Sequence, residues 1–364
     1  MHFLTSLIPA IVVLGVLIII HEFGHFLACR LSGVKVEKFS VGFGPEILKF
    51  KGKETSYVVS LFPLGGFVKP AGESISEVED AGGPKKGDYL AAPLASRIFI
   101  VVAGVAMNYF LAIVLFASVF MMGRPVPGTV IGEFVADYPA AQSELKVGDQ
   151  ILQVNGVETP NWKSLTDLLG DSTGEPIQLR VQRGDEQLNV TVVPKVEEIK
   201  DLFGETQIVS RIGIMPNPES QQFEQYGFVK STQAAWEETV TLAVNTHKAI
   251  FYLILGKLSF KMMAGPVGII HMTGTAAQLG LPYLLQLAAV LSVSLAVINL
   301  LPIPALDGGH LLFLLIEAIR RKRVSLQTQE RATQVGFALL LTLMVFIIYN
   351  DLVNLQVFDK VKNL

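Results

Sequence analysis

Four apolar stretches, Phe3–Cys29, Ile98–Met122, Pro282–Leu301 and Val335–Tyr349, constrain this chain more than any other feature. A hydrocarbon core of about 30 Å is crossed by about 20 mainly apolar residues at helical rise. The last stretch is short and is read as extending toward Leu355. Composition agrees, since 51% of the 364 residues are hydrophobic and only 17% are charged. No Lys or Arg precedes the first apolar run, so a retained helix is expected there rather than a cleaved signal peptide.

Charge sets the topology. Ten Lys and Arg residues lie from Arg30 to Arg97, and a second cluster runs from Arg320 to Arg323, with Arg331 beyond it. The positive-inside rule makes both connections cytoplasmic and exports the long segment after Met122, leaving both termini outside. The net charge of −3 provides no broad basic surface, which excludes nucleic acid as a partner. Cys29 is the only cysteine, so there is no intramolecular disulfide, and it reads as a small apolar residue.

The expected fold is a polytopic α-helical membrane protein of about four transmembrane helices, with a membrane-associated β-rich loop and an extracytoplasmic β-rich α+β domain. Its parts are a membrane core at 1–124, a soluble domain at 125–216, an interfacial helical segment at 217–281 and a second membrane core at 282–364. Within the soluble domain, turn signals at Asn155-Gly156 and Arg183-Gly184-Asp185 separate short alternating runs. Ile177, Leu179 and Val181 alternate with polar residues, as do Leu188, Val190 and Val192, and this predicts a hairpin. Trp236–Met263 mixes helical apolar spacing with Lys248, Lys257 and Lys261, which predicts an amphipathic helix at the outer interface. Tyr57–Phe62 followed by Gly65-Gly66 reads as an apolar strand and turn. That strand either dips into the membrane with an edge open to a substrate, or forms an interfacial hairpin packed on the span ends.

The chemistry centres on His21-Glu22-Phe23-Gly24-His25. On a helix the H-E-x-x-H spacing puts two imidazoles on one face, with a carboxylate beside them to act on a metal-activated water. Two histidines and a glutamate at the end of an apolar helix are costly unless they coordinate or pair. The alternative, that the helix ends by Ile20, is weakened by Phe26, Leu27 and Ala28, which continue the apolar pattern to Arg30. A third ligand must reach the same depth. Asp307, in the segment Asn299–His310 that closes the third span, is the candidate, and His310 is its rival. Asp307-Gly308 is also an ordinary turn signal. Asn108 in the second span serves equally as an oxyanion donor or as an interhelical hydrogen-bonding residue.

His21–His25, Gly104-Val-Ala-Met-Asn108 and Asn299–Gly309 together resemble the H-E-x-x-H, G-x-x-x-N and L-D-G motifs of the site-2 protease family. The resemblance covers nearly the whole chain and is closest to the bacterial regulator-of-sigma-E protease branch. Val41–Gly44, Phe62–Gly66 and Gly265-Pro266-Val267 also look like that branch. It implies one zinc ion per chain held by His21, His25 and Asp307, with Glu22 as general base. It further implies that Asn108, Asn299, Pro302 and Pro304 place the substrate, and Gly65 and Gly66 join them as substrate-binding candidates. Leu145–Gly156 resembles the PDZ pattern L-x-x-G-D-x-I-L-x-V-N-G. Members of this branch often carry two PDZ domains, whereas one is found here. The resemblance implies an intramembrane metalloprotease in a bacterial inner membrane, with single-pass transmembrane proteins as substrates and the lipid bilayer as its surroundings. Its active site would lie toward the cytoplasmic side and its PDZ domain outside. A non-catalytic PDZ adaptor with a structural zinc is the competing function, and it would require a fourth protein ligand.

Overall fold

The computed structural model describes residues 2–73, 78, 82–200 and 204–354. Among them, four helices are long and apolar enough to cross a membrane: Thr5–Leu31, Leu94–Met122, Leu281–Asn299 and Gln327–Asn354. These fit a polytopic membrane protein. The fourth begins well before the expected Val335, because Gln327, Gln329 and Glu330 form a polar first turn that propagates into the apolar run. The expected extension to Leu355 falls outside the described residues.

The chain divides into two compact units. The larger comprises Met1–Val119, Phe228–Leu253 and Ser259–Leu364. It contains α1 (His2–Leu31), β1 (Val36–Lys51), β2 (Ser56–Pro70) and α2 (Leu94–Met122). Its remaining helices, numbered after the short α3 (Trp162–Gly170) of the smaller unit, are α4 (Phe228–Ile254), α5 (Pro266–Leu279), α6 (Leu281–Asn299), α7 (Asp307–Arg320) and α8 (Leu326–Asn354). Val13 and Leu17 of α1 pack with Ala288 of α6 and Leu111 and Leu115 of α2. On an adjacent face of α2, Ala112 packs with Val293 and Val297 of α6 and Ile250 of α4. Helix α4 starts earlier than Trp236 and stops at Ile254, short of the expected Met263. Gly256, with φ of 70°, supplies the left-handed residue on which helices commonly end.

β1 and β2 pair antiparallel along Val36↔Pro70, Phe39↔Val68 and Val41↔Gly66. Both strands double back, so Val41 also lies beside Val59, and Phe50 beside Tyr57. Phe43, Ile47, Leu48, Phe50, Leu61 and Phe62 are all exposed on this sheet. The turn expected at Gly65-Gly66 is instead part of β2. A Cβ on Gly65 would lie 2.1 Å from the Phe43 ring and one on Gly66 2.7 Å from Ser40 O, so the missing side chains admit close neighbours rather than reverse the chain.

The smaller unit comprises Phe120–Gly227 with Ile254–Leu258. A four-stranded sheet in the order β6-β5-β7-β8 joins Val157–Glu158, Gln150–Val154, Ile177–Arg183 and Glu186–Val192. The paired runs fall in the register that their alternation predicts, with Ile177↔Val192, Leu179↔Val190 and Val181↔Leu188. Their inward residues meet Leu165 and Leu169 of α3 (Trp162–Gly170) in one buried core. Asn155 and Gly156, with φ of 49° and 82°, make the tight turn between β5 and β6. Around it, β4 (Ile131–Phe134) pairs with β11 (Ile214–Pro216) and β9 (Lys195–Lys200) with β10 (Thr206–Arg211), while two short strands at the ends of the unit, β3 (Arg124–Pro127) and β12 (Gln221–Glu224), pair antiparallel.

Candidate metal centre

The spacing of four residues on α1 brings the rings of His21 and His25 edge to face, with their Nε2 atoms 3.1 Å apart. Asp307, the first residue of α7, places Oδ2 3.0 Å from His21 Nε2 and 3.5 Å from His25 Nε2. Ligand atoms from these three residues lie within 4.8 Å of one another. His310 stands one turn further along α7 and lines the same cavity, outside that triad.

The loop before α7 explains how the aspartate reaches the helix end of α1. After α6 ends at Asn299, the chain reverses through Leu301–Leu306, with Ala305 at a φ of 144° that side chains rarely adopt. A Cβ on Gly308 would fall 2.1 Å from Leu301 O, and one on Gly309 2.4 Å from Ile303 O. The two glycines therefore let the loop carbonyls lie directly against the first turn of α7. Pro302 and Pro304 lie in this loop, and Pro304 O borders Gly336 of α8.

Helix α2 orients both imidazoles. His25 Nδ1–H donates to Ile100 O at 2.8 Å, which leaves Nε2 with its lone pair toward Asp307. Asn108 is fully buried, and its side-chain amide lies 3.3 Å from His21 Nδ1. Gly104 sits between them on the same face of α2, where a Cβ would come within 2.4 Å of His25 Nε2. A buried bidentate pair at 2.6 and 2.9 Å joins Arg97, one turn before Ile100, to Glu317 of α7. It ties the helix that orients the histidines to the helix that begins with Asp307.

Glu22 projects toward the sheet, where Val68 N–H donates to its Oε2 at 3.1 Å. Gly66 lies beside it on the same edge of β2, 3.6 Å from the Glu22 side chain by its Cβ position. Asn299 approaches from α6, half-buried, with its amide nitrogen 3.4 Å from His21 Nε2. Glu22, His25, Asp307 and His310 line a cavity of about 630 Å³, together with Phe67 and Val68 of β2.

The donor set fits a small divalent cation. Asp307 Oδ2 is buried and makes no hydrogen bond of proper geometry, although two imidazole nitrogens crowd it. Tetrahedral zinc with ligands at about 2.0–2.2 Å would set them roughly 3.3–3.6 Å apart, close to the spacings seen. Two neutral imidazoles and one carboxylate are also its usual donors.

The residues that a motif search could not supply are backbone groups, Val68 N–H and Ile100 O, and the Arg97–Glu317 pair. Among these, only Arg97, a cation at the start of an apolar helix, carried a signal in the sequence.

The profile of peptidase family M50 matches residues 9–343. A protein of Agrobacterium fabrum named as a candidate zinc metalloprotease is 36% identical over 366 residues, spanning 97% of each chain. Zinc metalloprotease RasP of Geobacillus kaustophilus is 31% identical over 423 residues, covering 96% of this chain and 98% of its own. Among solved structures, the PDZ domain of an SdrC-like protein of Listeria monocytogenes aligns with 25% of this chain and 87% of that one. Its identity of 21% and TM-score of 0.20 are too slight to carry an argument. With the family profile spanning both helices that bear the triad, the chain belongs to peptidase family M50, the site-2 protease family of zinc metalloendopeptidases.

Proposed function

We propose that this protein is an intramembrane zinc metalloprotease that cuts the transmembrane segments of single-pass membrane proteins, such as anti-sigma factors or remnant signal peptides, in regulated intramembrane proteolysis. The convergence of His21, His25 and Asp307 beside Glu22 carries this reading. Zinc bound there would polarise the carbonyl of the bond to be cut and make water acidic near neutral pH. Three protein ligands suit a catalytic site, whereas the adaptor reading needs a closed set of four.

Within that frame, Glu22 accepts the proton of the attacking water and returns it to the leaving amide nitrogen. The hydrogen bond from Val68 fixes the rotamer from which it does so. Asn299, on the Nε2 side of His21, is placed to hold the developing oxyanion with its amide N–H groups. A transmembrane helix shields its peptide bonds, so the substrate must be unwound. The edge of β2 at Gly65–Pro70, whose Val68 N–H points away from β1 toward Glu22, can hold an extended segment by strand addition. The exposed apolar side chains of the β1/β2 sheet support its insertion into the bilayer.

The distribution of Lys and Arg supports an inner-membrane orientation with the catalytic site toward the cytoplasm and residues 125–216 outside. In that outer segment, Asp149 of the L-x-x-G-D pattern is buried and paired with Arg183 at 2.7 Å. This fits a PDZ domain, and the role proposed for it is to screen substrates by size.

The test is cleavage of a short transmembrane substrate by purified protein and by Glu22→Gln. The variant keeps zinc near one per chain and loses turnover. Full cleavage by the variant overturns the mechanism.

A further inference from the structure

The two asparagines nearest His21 approach different nitrogens of the same imidazole. Asn299 lies 3.4 Å from Nε2, on the side facing Asp307. Asn108 lies 3.3 Å from Nδ1, on the opposite side of the ring, and is itself 0% exposed. We propose that Asn108 is a positioning residue: it accepts a hydrogen bond from His21 Nδ1–H and so fixes the tautomer that presents Nε2 to the metal. This rests on the metal-site reading above, and it replaces the substrate-placing role that the family resemblance implies for Asn108.

A neutral imidazole carries one N–H, and a ring that ligates through Nε2 must carry it on Nδ1. His21 Nε2 faces Asp307 Oδ2 and His25 Nε2 at 3.0 and 3.1 Å, so Nε2 is the ligating atom and Nδ1 the donor. Whatever meets Nδ1 must then be an acceptor. For His25 that acceptor is a main-chain carbonyl, Ile100 O. For His21 it is the Asn108 amide. Amide oxygen and nitrogen are assigned from their surroundings, and Asn108 Oδ1 is a buried oxygen without a hydrogen-bond partner. Placing Oδ1 at His21 Nδ1 gives it a donor and makes the two histidines equivalent.

The backbone of α2 supports this placement. Ile100, Gly104 and Asn108 recur every four residues along one face, so one helix presents an acceptor to His25, clearance for the rings, and an acceptor to His21. Ser292 Oγ on α6 donates to the Asn108 main-chain carbonyl at 2.8 Å, which pins α2 at this level. The spacing of Gly104 and Asn108 thus serves the ligand pair of α1.

The test uses the full-length protein in detergent, stripped of metal and titrated with zinc against a chromogenic chelator. Asn108→Asp keeps size and an acceptor, whereas Asn108→Leu keeps approximate size and has none. The expected result is zinc affinity near that of the native chain for Asn108→Asp and a loss of about 10–100-fold for Asn108→Leu. The visible absorption of bound cobalt should follow the same order, a readout that loss of packing alone would not restore in the Asp variant. If Asn108→Leu does not fold, Asn108→Ser, which is smaller and retains a hydroxyl acceptor, is compared with Asn108→Ala. Equal zinc affinity in the variants with and without an acceptor overturns the proposal, as does activity lost in both with affinity unchanged. His21→Ala separates the two levels. Zinc retained there defeats the metal-site reading, whereas zinc lost there but unchanged in Asn108→Leu defeats only the role of Asn108.

Discussion

Glu22 on the first helix receives a hydrogen bond at 3.1 Å from the main-chain N–H of Val68 on the edge strand of the β1/β2 sheet. On the proposed mechanism, one contact thereby joins the carboxylate that would take the proton of the attacking water to the edge along which an unwound substrate would lie. The donor belongs to the backbone, so only a substitution that removes the N–H tests it. Val68→Pro, at an edge position where proline is tolerated, should lower kcat by about 10–100-fold, the equivalent of one hydrogen bond to a charged group. Zinc content should be unchanged. Val68→Ala, which keeps the N–H, should stay near native activity. Equal losses in the two would show that the side chain, rather than the hydrogen bond, matters.

Asp307 and His310 share a helix and a cavity but differ in their distance from the imidazole pair. Asp307→Ala should lose zinc and activity together, while His310→Ala should retain zinc, as read by metal analysis of purified protein. The reverse order would transfer the ligand role to His310.

Gly336 of α8 tests whether the loop before Asp307 needs its seat. A Cβ there would lie 1.9 Å from Pro304 O, a backbone atom that cannot swing aside. Gly336→Ala should displace the loop, destabilise the protein by about 1–3 kcal/mol through overpacking, and weaken zinc binding. Gly256→Ala, in open space, provides the comparison and should leave zinc binding unchanged. Its positive φ affects only the end of α4.

Asp149 supplies a pH dependence in the smaller unit. Burial works against its charge, but hydrogen bonds from Arg183 and from Lys146 N–H outweigh that and hold the carboxyl below its ordinary range. A depressed value stabilises the folded unit above the unfolded pKa of about 3.9, and that contribution is lost as pH falls through the lower folded value. Hydrogen exchange of the full chain should therefore show the Phe120–Gly227 unit losing protection below about pH 4. In Asp149→Asn, protection should be lower at neutral pH and should fall less steeply in acid. Identical profiles would remove the pair from the account.

The ends of the smaller unit make its removal practical. Pro127 of β3 is the register partner of Gln221 of β12, so a short turn can replace residues 128–220 and leave that pairing in place. If the outer domain acts as a size screen, the deletion should still cut a short transmembrane substrate and should also cut substrates that retain a large external domain. Zinc content reports folding. A well-folded deletion that cuts nothing, or that still rejects untrimmed substrates, would make the domain an essential docking site instead.

The sequence alone determined what depends on neighbours along the chain. A spacing of four from His21 to His25 fixes a shared helical face, alternation in Ile177–Val181 and Leu188–Val192 fixes a hairpin register, and Asn155-Gly156 fixes a turn, because these are consequences of helical and strand periodicity. The meeting of Asp307 with the two histidines was legible as well, from the depth at which the third apolar run ends. Gly65-Gly66 shows where local reading failed: two glycines signal a turn, yet here Gly65 makes room for the Phe43 ring and Gly66 for Ser40 O within a strand. What only the tertiary structure decided was carried by atoms common to every residue, Val68 N–H on Glu22 and Ile100 O on His25, and by the side of the His21 ring that each asparagine meets. Main-chain donors and acceptors leave no mark in residue identity, and a ring has two faces of contact only once the helices around it are packed.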